Sequence, residues 1–233
     1  MIRWEQAGYE VAFTTRTGGG SKGPFASLNL GALTDDLAAN VDENRRRACA
    51  GIGADPERLT LNRQVHSATA HQAVAGRRGV EGDGLWTAEL GLPLLALTAD
   101  CVPIALAATA GKPRLAVLHA GWRGLLDGIV ESGVLALGGG ALGGGALAAA
   151  VGPAIGPCCY EVGPEVSERF DADLTTGRML DLRRAVERRL RAAGVSVVEH
   201  FDLCTMCHAQ LFFSHRRDRG VTGRQGVIGV VAG

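Results

Sequence analysis

A chain of 233 residues, 46% hydrophobic and 21% charged, carries enough apolar material for a large packed domain, which excludes disorder as its main state. Lys plus Arg and Asp plus Glu balance at 24 each, so no overall field draws it to nucleic acid or to an anionic membrane. The start, Met1-Ile2-Arg3-Trp4-Glu5, lacks an apolar signal core, so a cytoplasmic protein whose cysteines are mostly thiols is expected.

In chain order, β-branched and apolar runs bounded by turn residues predict strands at Glu10–Thr15, Leu59–Val65, Ala70–Val74 and Leu94–Thr98. Further strands are predicted at Val102–Ala107, Leu115–Leu118, Ala148–Val151, Val195–Val198 and Val227–Val231. The most apolar stretch, Leu92–Ala108, is broken by Pro93, Asp100 and Pro103, so it reads as two buried strands rather than a membrane span. Helical patterns are fewer. Val41–Ala50 follows a plausible cap and stops at Gly51, and Leu125–Leu137 ends at glycines. Leu182–Ala193 sets Leu182, Val186 and Leu190 on one face and stops at Gly194. The glycine-rich run 138–145 reads either as a linker or as a surface loop; composition is unchanged across it, so a single domain over 1–233 is expected.

Three stretches combine reactive side chains with turn residues: Asn62–Ser67, Thr98–Pro103 and His119–Gly124. In the third, His119 ends a strand that turns into a helix, and Arg123 offers a fork for phosphate or carboxylate; equally, Gly121 and Gly124 serve close packing around Trp122. Cys101 reads as a small core hydrophobe or as a ligand, and the neighbouring Asp100, in apolar surroundings, needs a partner. Two imidazoles and a thiolate suit zinc and leave a fourth position open, but the separations of His66, Cys101 and His119 are too long to certify a site.

Cys204-Thr205-Met206-Cys207-His208 matches the haem attachment pattern, which belongs to exported proteins, and lacks the βα setting of a thioredoxin motif. A bond between adjacent Cys158 and Cys159 would be strained. The basic cluster Ser214–Arg219, with Arg224 beyond it, is too short for a nucleic-acid footprint and reads as a solvated loop or as an anion clamp for a small substrate.

Taken in order, further stretches accompany these. They are Thr14–Gly19, Ser27–Gly31, Glu43-Asn44-Arg45, Gln64-Val65-His66, Gly82-Asp83-Gly84-Leu85, Ala99–Pro103, His119–Gly124, Gly152–Gly163 and Phe212–Arg217. Together they resemble the YfiH-type family, also called the laccase-domain or polyphenol-oxidase family. Its members are described as purine nucleoside phosphorylases, one bacterial branch as a peptidoglycan editing factor. The resemblance implies an α+β fold arranged as a four-layer α/β/β/α sandwich. It also implies that the family's metal-binding and catalytic His-Cys-His set falls on His66, Cys101 and His119. Two positions depart from the family pattern: Ser67 stands where Gly is common, and His215 where Tyr is common.

Four functions are compatible with these residues. The first is a zinc-dependent purine nucleoside enzyme that cleaves adenosine, inosine and methylthioadenosine with phosphate and deaminates adenosine. Arg123, Arg216, Arg224 and Asp83 are its candidate substrate-binding residues, and Asp83 or Asp100 its candidate proton shuttle. The second is a metal-free Cys-His hydrolase with Cys101 as nucleophile and His119 as base, acting on an amide or a peptidoglycan precursor. The third, a copper polyphenol oxidase, would need more imidazoles than six histidines provide. The fourth is a non-catalytic binding protein.

Overall fold

A computed structural model describes residues 1–139 and 146–232 of the chain. The glycine-rich run of the sequence therefore lies outside the described residues from 140 onward. The elements in order are β1 (Ile2–Gln6), β2 (Tyr9–Phe13), α1 (Ala38–Ala50), β3 (Thr60–Arg63), β4 (Ala70–Gln72), β5 (Arg78–Glu81) and β6 (Gly84–Thr87). There follow β7 (Leu94–Thr98), β8 (Val102–Ala108), β9 (Leu115–Ala120), α2 (Trp122–Asp127), α3 (Ile129–Ala136) and β10 (Leu147–Val151). The last are α4 (Pro164–Ser167), β11 (Thr175–Thr176), β12 (Met179–Leu180), α5 (Leu182–Ala192), β13 (Val197–His200) and β14 (Gln225–Val231).

The two apolar runs on either side of Asp100 set the architecture. A strand without polar alternation must be covered on both faces, and each run lies inside a six-stranded sheet. One sheet has the order β1-β2-β14-β7-β3-β5 and the other β13-β10-β8-β9-β6-β4. The chain thus passes from one sheet to the other in the short turn that carries Asp100 and Cys101. Between the sheets lies a shared core including Phe13, Leu94, Ala105, Val117 and Val227. On the outer face of the first sheet α1 packs Ala48 and Cys49 against Leu61 and Leu95. On the outer face of the second, α3 and α5 bring Ile129, Val130, Val186 and Leu190 onto Ile104, Leu106 and Leu118. This is the expected order of helix, sheet, sheet and helix.

The differences from the sequence reading have local causes. The helix expected over Leu125–Leu137 is two helices, because Gly128 adopts a left-handed φ of +101° and ends α2. Helix α1 starts earlier than expected, at Ala38, and the Leu37 side chain gives no cap; instead the Asp36 carboxylate accepts from Leu37 N at 2.8 Å. Strands β1 and β5 went unpredicted because they are sheet edges with charged, largely exposed faces, and β6 because it is four residues beginning in Gly. No helix among the described residues is long and apolar enough to cross a membrane.

Candidate active site

Strand pairing explains why three distant segments meet. β3 runs parallel to β7, so the segment after Arg63 and the turn after Thr98 emerge at the same end of the first sheet. β8 leaves that turn into the second sheet and pairs with β9, where Pro103 faces His119. Sγ of Cys101 comes to 3.8 Å from Nε2 of His66, and the His66 and His119 rings stand edge to face with centroids 4.8 Å apart. One ligand atom from each of His66, Cys101 and His119 lies within 4.8 Å of the others, a spacing and donor set that fit a metal ion.

Asp83 organises this cluster from behind. It precedes β6, whose Gly84 pairs with Leu118 of β9, and its own carbonyl accepts from His119 N at 2.8 Å. The buried carboxylate receives five hydrogen bonds: from the backbone N–H of Val65 (3.1 Å), His66 (3.0 Å) and Ser67 (2.7 Å), from Ser67 Oγ (2.8 Å) and from His119 Nδ1 (2.7 Å). Three successive amides wrapped on one anion hold His66 at a left-handed φ of +61°, uncommon for a residue with a side chain. Because a carboxylate can only accept, Nδ1 of His119 carries its proton and Nε2 is the nitrogen left for a metal.

Burial pushes the Asp83 carboxyl up, but the His119 and Ser67 hydrogen bonds outweigh it and hold the group down at about 2. Burial likewise raises the Cys101 thiol, and the charge and hydrogen bond of His119, helped by His66, reverse this and bring it to about 6. For His119 burial lowers the imidazolium, while the Cys101 thiolate and Asp83 raise it to about 9.

Substrate contact, one role open to Asp83 on sequence, needs a carboxylate facing the cavity. Asp83 is instead 1% exposed and turned onto the His66 loop. Asp100 is committed too: Oδ1 accepts from Thr205 Oγ1 (2.6 Å), and Oδ2 from Ser214 Oγ (3.0 Å) and Arg216 N (2.7 Å). Neither carboxylate has the freedom a proton shuttle requires.

Above the cluster opens a cavity of about 830 Å³ lined by His66, Cys101 and His119 together with Arg123, Arg216 and Arg224. Arg123 stacks 4.3 Å above the Trp122 ring, Arg216 Nη1 donates to Glu161 O at 2.7 Å, and Arg224 Nη1 donates to Thr222 O and Gly223 O. The sequence reading missed Arg45, which reaches the cavity from α1 with only 6% exposure and donates Nε to Leu30 O at 2.9 Å. Its signal was present in Glu43-Asn44-Arg45, a charged residue on what becomes the covered face of a helix. It missed Tyr160 as well, and it gave no role to His215; both line the cavity. Glycine makes the close approach possible: a Cβ on Gly121 would stand 2.5 Å from Cδ2 of His66.

A second ligand cluster among the described residues joins motifs that the sequence reading set aside singly. Cys158, Cys159, Cys204 and Cys207 place their sulfurs within 4.8 Å of one another.

Residues 10–231 match the family model described as multi-copper polyphenol oxidoreductase laccase. The purine nucleoside phosphorylase YlmD of Geobacillus stearothermophilus is 41% identical over 94% of this chain and 88% of its own. The purine nucleoside phosphorylase YfiH of Escherichia coli is 35% identical over 95% and 94%. The crystal structure of the Geobacillus YlmD superposes with a TM-score of 0.88 at 37% identity, covering 97% of this chain and 93% of that one. A YfiH from Bacillus licheniformis gives 0.86 at 31%, covering 96% and 92%. With the motifs, the two-sheet fold and the sequence match in agreement over nearly the whole length, the chain belongs to the laccase-domain family, the family of YfiH and YlmD.

Proposed function

We propose that this protein is a zinc-dependent purine nucleoside phosphorylase that cleaves adenosine, inosine and methylthioadenosine with phosphate and also deaminates adenosine. The observation that carries the reading is the His66, Cys101 and His119 cluster at one end of a cavity whose walls bear arginines. The volume falls within the roughly 300–1,000 Å³ usual for small-molecule sites, and relatives bear the phosphorylase name.

Zinc held by His66, Cys101 and His119 would keep a fourth position open and supply Lewis-acid chemistry there. Two imidazoles and one thiolate suit zinc, and six histidines in the chain fall short of what several coppers require, so the polyphenol-oxidase name of the family is not the activity proposed. Asp83 fixes the His119 ring and backs the His66 loop, acting through the ligands. Phosphorolysis needs a phosphate held against the sugar; the guanidinium groups of Arg45, Arg123, Arg216 and Arg224 supply planar forks for it. Since Asp83 and Asp100 are committed, the groups on the cavity wall able to pass a proton to the leaving base are Tyr160 and His215. Burial and the nearby Cys101 charge raise the Tyr160 phenol to about 12, so it stays a donor at neutral pH.

The test is release of free purine base from a nucleoside panel with and without phosphate. Phosphate-dependent release by the wild type, abolished in Cys101→Ala and His119→Ala, is expected; equal turnover in all three proteins overturns the proposal. One arrangement favours a second reading, a Cys-His hydrolase: Cys101 lies beside His66 and His119, whose charge and hydrogen bonds draw its thiol down toward the nucleophilic thiolate. A zinc ion lost on Cys101→Ala separates the two, because zinc bound through Cys101 leaves no free thiolate to attack.

A further inference from the structure

The tetracysteine cluster is independent of the cavity. β10 and β13 are parallel neighbours, with Ala148 opposite Val197 and Val151 opposite His200. Parallel strands release their following turns at the same end of the sheet. The pairing is prolonged by a bridge between Ala154 and Cys204, so the turn bearing Cys158 and Cys159 lies against the turn bearing Cys204 and Cys207. In a strand, adjacent side chains point to opposite sides. The turn over residues 157–159 instead sends both Cys158 and Cys159 toward Cys207, with sulfur separations of 3.7 and 3.4 Å.

Four sulfurs each about 2.3 Å from a tetrahedral zinc stand roughly 3.8 Å apart. A disulfide would need about 2.05 Å, and all four cysteines are free. Thiols alone give each other little, since S–H is a weak donor and S a weak acceptor. Buried Cys204 also accepts a hydrogen bond from Gly156 N at 3.2 Å, a role suited to a thiolate, whereas Cys158 and Cys207 are exposed and leave a route for an ion to enter.

We propose that Cys158, Cys159, Cys204 and Cys207 bind a second zinc ion in a closed structural site that clips the two turns together. The clip lies one residue from the active-site wall: Thr205, next to Cys204, donates to Asp100 at 2.6 Å, and Ile155 N donates to the Asp100 carbonyl at 2.9 Å. Its consequence is stability of the wall rather than chemistry.

The experiment is metal counting by native mass spectrometry and elemental analysis on the full chain, incubated with zinc and then gel-filtered. Three proteins are compared: wild type, Cys158→Ser with Cys207→Ser, and His66→Ala with Cys101→Ala and His119→Ala. The two serine substitutions fall at exposed positions, which protects folding. Two zinc ions are expected in the wild type and one in each variant, and cobalt added to the alanine variant should give the spectrum of a tetrahedral tetrathiolate. Tm of the serine variant should fall by about 5 °C or more. The same zinc count in wild type and serine variant, iron in place of zinc, or a disulfide among the four cysteines in the protein as purified, each overturns the proposal. The alanine variant reports on this cluster whatever becomes of the nucleoside reading.

Discussion

Two sulfur-bearing clusters lie at the ends of the sheets yet are built on opposite plans. The His66, Cys101 and His119 cluster takes its donors from the ends of three elements in two sheets and opens into the cavity. The tetracysteine cluster takes its donors from two adjacent turns, and a metal held there would have all four positions filled by sulfur. Three protein ligands leave a position for chemistry, while four fill it. The supports differ accordingly: the open cluster rests on a buried anion that sets ring orientation, and the closed one on strand pairing that sets only proximity.

The largest effect that would sharpen this contrast comes from removing a donor of the open cluster. Cys101→Ala and His119→Ala should lower kcat/KM for phosphorolysis by about 1,000-fold or more, while zinc at the tetracysteine cluster stays. Loss of both metals on changing either residue alone would break the comparison, since it would mean that the two centres form as one unit.

The next concerns placement rather than donors. Gly121→Ala inserts a Cβ 2.5 Å from the His66 ring and 3.3 Å from Cys101 Sγ, so the ring must move. A shift of the order of 1 Å at a reacting centre costs about 100-fold in rate. Steady-state kinetics and zinc stoichiometry are the readouts, and unchanged kinetics would show that the open cluster tolerates displacement.

Much of the fold was legible in the sequence, and the candidate site was legible in a narrower sense. Runs such as Val102–Ala107 announced central strands because both faces are buried, and Leu182, Val186 and Leu190 announced a covered helix. The edge strands β1 and β5 failed to show because their charged, largely exposed residues display no apolar pattern, whereas the edges β4 and β13 were legible. His66, Cys101 and His119 drew attention through order along the chain and not through spacing, since sheet pairing rather than local geometry joins them. The cysteine turns stayed separate for the same reason: nothing short-range tells that β10 and β13 are parallel neighbours. Asp83 stood among glycines in Gly82-Asp83-Gly84-Leu85, but its role depends on three amides that only the folded loop presents.

Asp83→Asn tests that role. An amide offers one acceptor oxygen and brings donors against the N–H groups of the His66 loop, so zinc affinity should fall about 10- to 100-fold. In the metal-free protein the carboxylate has its own pH signature. Its folded value of about 2 lies below the unfolded value, so its contribution is fully present above about pH 4 and is lost as pH falls toward 2. The shift corresponds to roughly 2–3 kcal/mol. Denaturant titrations of metal-free wild type and Asp83→Asn should therefore converge between about pH 4 and 2, and a constant gap across that range would deny the ion pair.

The smallest effect is expected for Ser67→Gly. The hydroxyl gives Asp83 a single hydrogen bond at 2.8 Å, and the Ser67 N–H, which stays, gives another at 2.7 Å. Losing one of five donors to a carboxylate that keeps the rest costs about 1 kcal/mol, and the added freedom of glycine in the unfolded chain costs up to about as much again. Zinc stoichiometry and kcat should hold, because the ring-orienting bond from His119 is untouched. A measured loss of catalysis with stability unchanged would move Ser67 from the support of the open cluster to its substrate face. That outcome would place the distinction between the two clusters in their access to ligand and not in their second layer of hydrogen bonds.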